Sequence, residues 1–171
     1  MSRNIMRKII ADTSSLILLY KCGAAEYFLN TCCCIVPQPV RDELTAAGHE
    51  GADFFEECII KKIFAVKIHS VDFEPVKKLH KGESGAIALY REGAGDYLII
   101  DDGGGAAYCR DNGIPYINAL LAVKILFSCG KIDQKKYDTM FMWLKSNGRY
   151  SKAVIEWAEN SGIAELREFL L

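Results

Sequence analysis

The sequence predicts an α/β domain with a mostly parallel sheet that carries helices on both faces. Short runs rich in β-branched residues alternate with segments whose apolar residues recur at helical spacing, and this alternation is typical of parallel sheets. The 171 residues are 50% hydrophobic and 25% charged, which is ordinary for a globular domain with a buried core. No repeat or linker divides the chain, so we expect one domain over residues 1–171, with residues 131–171 forming a helical extension.

Five short apolar segments are predicted to form the strands. RKIIAD and AVKIHS are rich in β-branched residues, CCCIVP is stopped by Pro37, and DYLII and IPYIN lie next to turn residues. The three consecutive cysteines are interpreted as small apolar residues that enter a buried strand. The strands are expected, in chain order, at residues 7–12, 32–37, 65–70, 96–100 and 114–118.

Helical periodicity fills the intervals between the strands. Gly23 closes the first helix, and Pro39 lies early in a later helix, where its missing amide donor costs nothing. Three consecutive glycines weaken the start of the helix that follows Asp102. Ser151 is a predicted cap for the last helix. The helices are expected at residues 13–23, 24–30, 38–48, 51–62, 71–80, 82–93, 103–113, 119–130, 133–148 and 151–162.

Charge, cysteine spacing and hydropathy exclude several classes of protein. A net charge of −1 provides no global basic field for non-specific binding of nucleic acid. The seven cysteines form no CxxC pair and the three histidines lie outside zinc-like spacing, so we expect reduced thiols and no zinc site. No segment approaches the roughly 20 apolar residues of a membrane helix, and the N-terminus lacks signal-peptide features. We therefore expect a cytoplasmic protein without membrane contact.

Carboxylates follow the predicted ends of two strands. Asp12 follows RKIIA, and the pair Asp101 and Asp102 follows YLII. Ligands of parallel sheets bind beyond the carboxyl ends of the strands, where these side chains are expected to meet. Glu43 and Glu83 lie near the beginnings of two helices that follow connecting segments. We therefore predict an acidic site at this edge of the sheet that contains all five carboxylates.

Each of these carboxylates also has a purely structural interpretation. The aspartates are typical helix caps, and Glu83 is placed to offset a helix dipole. Glu43 is equally compatible with a solvated helix position, and its neighbour Asp42 competes with it for a role in the site. Thr13 and Ser14 are predicted either to hydrogen-bond a ligand carboxylate or a substrate phosphate, or to serve only in helix capping. Taken jointly, the spacing of the acids favours the functional interpretation.

The sequence resembles the PIN-domain family through four motifs that occur in a fixed order. They read ADTSSLILL, VPQPVRDEL, KGESGAIALY and LIIDDGGGAAYCRDNGIPYIN, and the similarity continues to GRYSKAVIEWAENSG. The chain is most similar to a VapC-like bacterial and archaeal branch with a D-T-S-x-L-I start, a G-E-x-x-A-I helix and a strand that ends in D-D. The resemblance implies a compact three-layer α/β/α sandwich.

The resemblance also implies an activity. Characterised PIN domains are largely metal-dependent nucleases that act mainly on RNA, and many, including the VapC-type toxins, pair with an antitoxin. We therefore expect an Mg²⁺- or Mn²⁺-dependent endoribonuclease that acts on RNA rather than single-stranded DNA, forms a homodimer and has an antitoxin partner. By resemblance, Asp12, Glu83 and the Asp101/Asp102 pair would hold the metal, and Glu43 would join them in catalysis. Crowded oxygen ligands favour such hard cations, because a cation relieves their mutual repulsion.

One departure from the family pattern concerns a missing arginine. Related sequences often continue the pair as D-D-x-x-A-R, whereas residues 103–106 here are three glycines and Ala106. Arg110 lies four residues later on the same predicted helix face and is a predicted substitute. Without an arginine, a catalytically weak or inactive module for binding nucleic acid or protein remains an alternative. Candidate phosphate contacts near the predicted site are Lys81, Arg41, Arg110 and Lys124.

Two other α/β functions fit the residues poorly. A dinucleotide-binding GxGxxG motif would need glycine at position 108, where Tyr108 stands, and no GxxxxGK[ST] motif occurs. A response receiver would need a phospho-accepting aspartate after the third strand, but AVKIHS ends without one. The aromatic residues of the helical tail, Trp143, Trp157 and Phe169, are predicted anchors for a dimer interface.

Overall fold

The computed structural model describes residues 7–69 and 79–162, together with residues 164, 166 and 169. The strands are β1 (Lys8–Ala11), β2 (Cys33–Pro37), β3 (Ala65–Lys67), β4 (Tyr97–Ile99) and β5 (Tyr116–Ile117). They form one five-stranded sheet in the order β3-β2-β1-β4-β5, and every pair is parallel. The sheet is therefore parallel throughout, with β1 at its centre.

The central strands are apolar on both faces. Ile9 and Ile10 on β1, and Leu98 and Ile99 on β4, are fully buried although alternate residues point in opposite directions. This is expected for parallel strands that are covered by helices on both sides. The edge strand β3 is much more exposed, which is consistent with its position at the margin of the sheet.

Helices cover the two faces of the sheet. Within the described residues they are α1 (Thr13–Lys21), α2 (Ala25–Thr31), α3 (Gln38–Leu44), α4 (Ala52–Ile60), α5 (Lys81–Arg91), α6 (Gly103–Asp111), α7 (Ala119–Ser128), α8 (Gln134–Asn147) and α9 (Lys152–Asn160). Buried residues of α5 and α6 pack with Ile10 and Leu98 on one face. Buried residues of the other helices pack with Ile9 and Ile99 on the opposite face. The predicted three-layer α/β/α sandwich is confirmed.

The predicted elements are present with shorter ends. All five strands lie inside the predicted segments, and nine of the ten predicted helices are present. The helix predicted at residues 71–80 falls largely outside the described residues. All seven cysteines are free thiols. In the described ranges, no helix is both long enough and apolar enough to cross a bilayer.

The register of the two central strands brings their carboxyl ends together. Ile10 pairs with Leu98, and Ala11 pairs with Ile99. The amide of Asp12 then donates a 3.3 Å hydrogen bond to the carbonyl of Ile99. The first residue after β1 and the residues after β4 therefore emerge side by side at one edge of the sheet.

Candidate active site

Asp12 is both a helix cap and a buried carboxylate at this edge. Its Oδ1 accepts a 2.9 Å hydrogen bond from the amide of Ser15, which caps α1. Its Oδ2 accepts a 2.8 Å hydrogen bond from the hydroxyl of Ser14. Only 1% of the residue is exposed. The structural and functional interpretations of Asp12 are thus compatible, because capping fixes the carboxylate beside the strand ends.

Glu83 is fixed by the first turn of α5. Its Oε2 accepts a 3.0 Å hydrogen bond from the amide of His80, in a capping-box arrangement. Glu83 is 4% exposed. Gly105 on α6 permits this placement, because a Cβ at that position would lie 3.2 Å from Glu83 Oε1 and 2.9 Å from Ile100 Cγ2. The third glycine of the GGG segment therefore allows α6 to approach the carboxylate closely.

Glu43 and Asp42 point in different directions from α3. The hydroxyl of Thr13 donates a hydrogen bond to Glu43 Oε2, which ties this carboxylate to the start of α1. Asp42 instead accepts hydrogen bonds from Gln38 (2.8 Å) and Arg41 (3.1 Å) on the exposed side of the helix. Of the two neighbouring acids, Glu43 is the one that faces the other predicted site residues.

Four of the five predicted carboxylates line one cavity of about 390 Å³. We call it the acidic pocket, and its lining residues are Asp12, Thr13, Ser14, Ile17, Glu43, His80, Gly82, Glu83 and Asp102. The acids come from the end of β1, from α3, from the first turn of α5 and from the residue before α6. Separate segments thus bring their carboxylates to one place.

The two consecutive aspartates after β4 have different surroundings. Asp102 lines the acidic pocket and caps α6, where its Oδ1 accepts from the amides of Gly104 (2.8 Å) and Gly105 (3.3 Å). Asp101 accepts from the amide of Ala119 through Oδ1 (3.1 Å) and Oδ2 (3.0 Å), and from the hydroxyl of Tyr150. Asp101 therefore lies behind the pocket, against the C-terminal helices.

Burial makes two of the pocket carboxyls reluctant to ionise. Burial raises the pKa of Asp12 to about 7; the nearby charge of Asp101 adds to the rise, and hydrogen bonds from Ser15 and Ser14 oppose it. Burial also raises the pKa of Glu83 to about 7, against the hydrogen bond from His80. The metal-free pocket therefore holds protons near neutral pH.

The remaining aspartates show how the charges are distributed. Burial raises the pKa of Asp101, although the hydroxyl of Tyr150 opposes this effect. Burial acts in the same direction on Asp102, but hydrogen bonds from Gly104, Glu83 and Gly105 outweigh it and lower the pKa of Asp102. Protonated Glu83 thus supports an ionised Asp102 next to it.

The donor set of the acidic pocket fits a hard divalent cation. Four carboxylates and the hydroxyls of Thr13 and Ser14 belong to the lining, and a cation would replace the protons that burial now favours. The buried hydroxyl of Ser15 has no hydrogen-bond partner of normal geometry in the described structure, although it is close enough to lower the pKa of both Asp12 and Asp101. Across residues 7–69 and 79–162, no three His, Cys, Asp or Glu side chains are already arranged to hold a metal. Local hydrogen bonds satisfy the carboxylates instead.

The lysine and arginine residues that were predicted to contact phosphate do not line the acidic pocket. Lys81 is exposed at the start of α5, and Arg41 pairs with Asp42 at 3.1 Å. Arg110 donates a 3.0 Å hydrogen bond to the hydroxyl of Tyr116 and lines a different cavity. The prediction that Lys124 contacts phosphate is wrong. This residue is buried, and its ammonium donates to the last carbonyls of α9 at 2.7 Å.

Two residues at the site are absent from the sequence-based prediction. His80 lines the pocket, and its position three residues before Glu83 matches the spacing of a capping box, which is a usable sequence signal. Tyr150 donates to Asp101 across 49 residues of sequence. Sequence patterns do not reveal such a contact, because it depends on how the C-terminal helices pack.

Comparison with known families agrees with the resemblance found in the motifs. A family model described as a PIN domain matches residues 8–158, which is most of the chain. No curated protein and no solved structure matches significantly. PIN domains are generally nucleases, and therefore hydrolases, that use divalent metal ions. The chain belongs to the PIN-domain family.

Proposed function

We propose that this protein is a divalent-metal-dependent endoribonuclease with the acidic pocket as its catalytic centre. The observation that carries the proposal is the convergence of Asp12, Glu43, Glu83 and Asp102 on one cavity. Burial of Asp12 and Glu83 without cationic partners costs stability, so a purely structural role does not account for these two carboxylates. Perturbed carboxyls that cluster in a cleft are typical of functional sites.

The pocket residues divide into metal-holding and positioning groups. Asp12, Glu83 and Asp102 would hold Mg²⁺ or Mn²⁺, while partly buried Asp101 adds negative charge near Asp12. When bound, the ion supplies Lewis acidity at a phosphate oxygen. Ser14 fixes the orientation of Asp12 through its 2.8 Å hydrogen bond.

In this proposal, Glu43 accepts a proton from the attacking water. Its Oε2 is occupied by the hydroxyl of Thr13, which holds the carboxylate towards the cavity. Its Oε1 is then the atom that receives the proton, as in general-base catalysis. This assigns Thr13 to positioning rather than to direct contact with the phosphate.

The substrate and partners in this proposal follow from the family resemblance. RNA is the proposed substrate, and single-stranded DNA is the less favoured one. A homodimer and an antitoxin partner, as in VapC-type toxins, belong to the same proposal. A small open reading frame beside the gene would support the antitoxin.

An inactive binding module is the second candidate. Ala106 stands at the position where related sequences often carry arginine, and among the described residues no lysine or arginine lines the acidic pocket. A pocket without a guanidinium has weaker means of holding a phosphate. This observation favours a protein that binds nucleic acid or a partner without cleaving it.

A cleavage assay on mixed RNAs and single-stranded DNA with Mg²⁺ or Mn²⁺ separates the two candidates. We expect the wild type to cleave RNA. We expect Asp12→Asn to lose at least about a hundredfold in rate, the order of effect of removing one catalytic carboxylate. Asp42→Asn removes an exposed carboxylate on the same sheet edge and should leave the rate unchanged. Equal metal-dependent cleavage by Asp12→Asn and wild type would refute the assignment, and an inert wild type would favour the binding module.

A further inference from the structure

A second and larger cavity lies beside the acidic pocket. Its volume is about 850 Å³, and we call it the C-terminal groove. The residues of its lining that matter here are Asp101, Gly103, Arg110, Tyr116, Arg149 and Trp157. Asp101 and Gly103 flank Asp102, which lines the acidic pocket. The two cavities therefore adjoin along one short segment of chain.

The C-terminal groove carries two arginines that lack acidic partners. Arg110 and Arg149 are both exposed, and neither forms an ion pair with any residue that the structure describes. Arg110 is held by a neutral partner, the hydroxyl of Tyr116, at 3.0 Å. Unpaired guanidinium groups favour phosphate, which they bind in bidentate fashion.

The backbone that presents Arg149 is tightly constrained. Its φ is 54°, a left-handed conformation that is uncommon for residues other than glycine. A Cβ on the preceding Gly148 would collide with the ring of Tyr150 and lie 2.7 Å from the carbonyl of Leu144. Tyr150 is in turn bonded to Asp101. The turn that places Arg149 at the groove is thus coupled to the residue that borders the acidic pocket.

Aromatic rings line the same groove. Trp157 on α9 is 50% exposed, although large apolar residues are usually buried. The partly buried ring of Tyr116 belongs to the same lining. Exposed aromatic rings next to cations are the typical surface on which unpaired bases stack. The volume lies within the range of small-molecule sites, so one nucleotide can be accommodated.

We propose that the C-terminal groove is a subsite for an unpaired nucleotide next to the cleaved linkage, with its base on Trp157 and its phosphate on Arg110 and Arg149. The inference builds on the proposed nuclease function and names its substrate class as single-stranded. A nucleic-acid strand is favoured over a protein segment because the groove adjoins the acidic pocket at residues 101–103 and, unlike that pocket, carries two arginines. The carboxylate of Asp101 also lines the groove, but it already accepts hydrogen bonds from the amide of Ala119 and the hydroxyl of Tyr150.

The test measures binding without cleavage. A fluorescein-labelled single-stranded RNA is titrated in EDTA against the Asp12→Asn protein, with anisotropy as the readout. When Trp157→Ala is combined with Asp12→Asn, we expect RNA binding to weaken on the order of tenfold, as for loss of one stacked base. When Arg149→Ala is combined with Asp12→Asn, we expect weaker RNA binding. The slope of the logarithm of the binding constant against the logarithm of salt concentration should fall in magnitude by about one. The matched controls are Lys152→Ala, whose side chain is 90% exposed outside the groove lining, and Met142→Ala, which is 57% exposed. Both should change affinity less than about twofold.

The outcomes separate the subsite from the nuclease activity. Unchanged RNA affinity in both folded groove variants overturns the subsite, as does tighter binding of duplex than of single strand. Disruption of a homodimer by Trp157→Ala with unchanged RNA affinity assigns the groove to a second copy and also overturns it. If Trp157→Ala fails to fold, Trp157→Phe and Trp157→Leu replace it, and only Phe should retain affinity. Binding that follows these expectations in a protein that cleaves nothing rejects the nuclease and leaves the subsite standing.

Discussion

The acidic pocket and the C-terminal groove lie on either side of the same three residues, 101–103, yet they differ in charge and in origin. The pocket is built from carboxylates at strand ends and first helical turns. The groove has a largely apolar lining, to which α6, β5 and the segment from Arg149 through α9 contribute arginines and aromatic rings. If both proposals hold, the two regions have different tasks: the sheet edge would supply the chemistry, and the groove would supply affinity for a strand.

The largest expected difference between the two regions is in their response to pH. The pKa of Asp12 is raised from 3.8 to about 7 by burial, so folding favours its protonated form. Its contribution to the free energy of unfolding is fully present below about pH 4 and is lost as the pH rises through 7, a loss on the order of 4 kcal/mol. Thermal melts of the metal-free protein should show wild type losing more stability than Asp12→Asn between pH 5 and pH 8.

Divalent cations should reverse this loss. Mn²⁺ competes with protons for the pocket carboxylates, so it binds better when they are ionised. Mn²⁺ should therefore raise the melting temperature at pH 8 and have little effect at pH 5. The groove variant Arg149→Ala serves as a comparison and should follow the wild-type profile. Parallel pH profiles for wild type and Asp12→Asn would contradict the role of burial at Asp12.

A pair of glycine substitutions tests how closely the pocket is packed. A Cβ at Gly105 would lie 2.9 Å from Ile100 Cγ2 and 3.2 Å from Glu83 Oε1, whereas a Cβ at Gly103 meets nothing within 4 Å. We expect Gly105→Ala to weaken Mn²⁺ binding by about tenfold or more, as for loss of a group that orients a ligand. Gly103→Ala should leave Mn²⁺ affinity unchanged. Calorimetric titration measures both, and equal affinities would show that α6 moves freely away from Glu83.

The smallest expected effect concerns Tyr150, which connects the two regions. Tyr150→Phe removes the hydroxyl that donates to Asp101 but keeps the hydrogen bonds from Ala119. We expect a loss of about 1–2 kcal/mol in the free energy of unfolding, by urea denaturation at pH 8. Tyr137→Phe is the control, because Tyr137 stacks on Phe127 with ring centroids 4.9 Å apart. If Tyr150→Phe costs no more than this control, the hydroxyl does not stabilise the partly buried carboxylate of Asp101.

The fold and the sheet edge were predictable because local patterns determine them. β1 and β4 are short runs in which apolar residues predominate; Asp12 directly follows β1, and Asp101 lies two residues beyond the end of β4. The sequence does not distinguish Asp101 from Asp102, since both fit the same turn. Their difference depends on the capping of α6 and on the distant hydroxyl of Tyr150.

The predicted phosphate-binding lysine and arginine residues illustrate the limit of such sequence patterns. Helical spacing correctly puts Arg110 on the same helix as Ala106, but the packing of α6 against β5 directs it towards Tyr116 and the groove. Lys124 lies in a strongly apolar helix, and only the position of α9 explains its burial. The position of each of these charged side chains depends on its tertiary contacts, and sequence patterns do not reveal those contacts.

The ammonium of Lys124 gives the final helix a fixed attachment to the core. Its Nζ donates to the carbonyls of Ala158 and Glu159, both at 2.7 Å, where the last carbonyls of α9 would otherwise lack donors. A chain cut short before Ala158 would leave a buried cation without acceptors, which is far more costly than losing surface area. The mostly exposed helix that bears Trp157 is therefore anchored to the folded core at its C-terminal end, through Lys124 and buried Ala158.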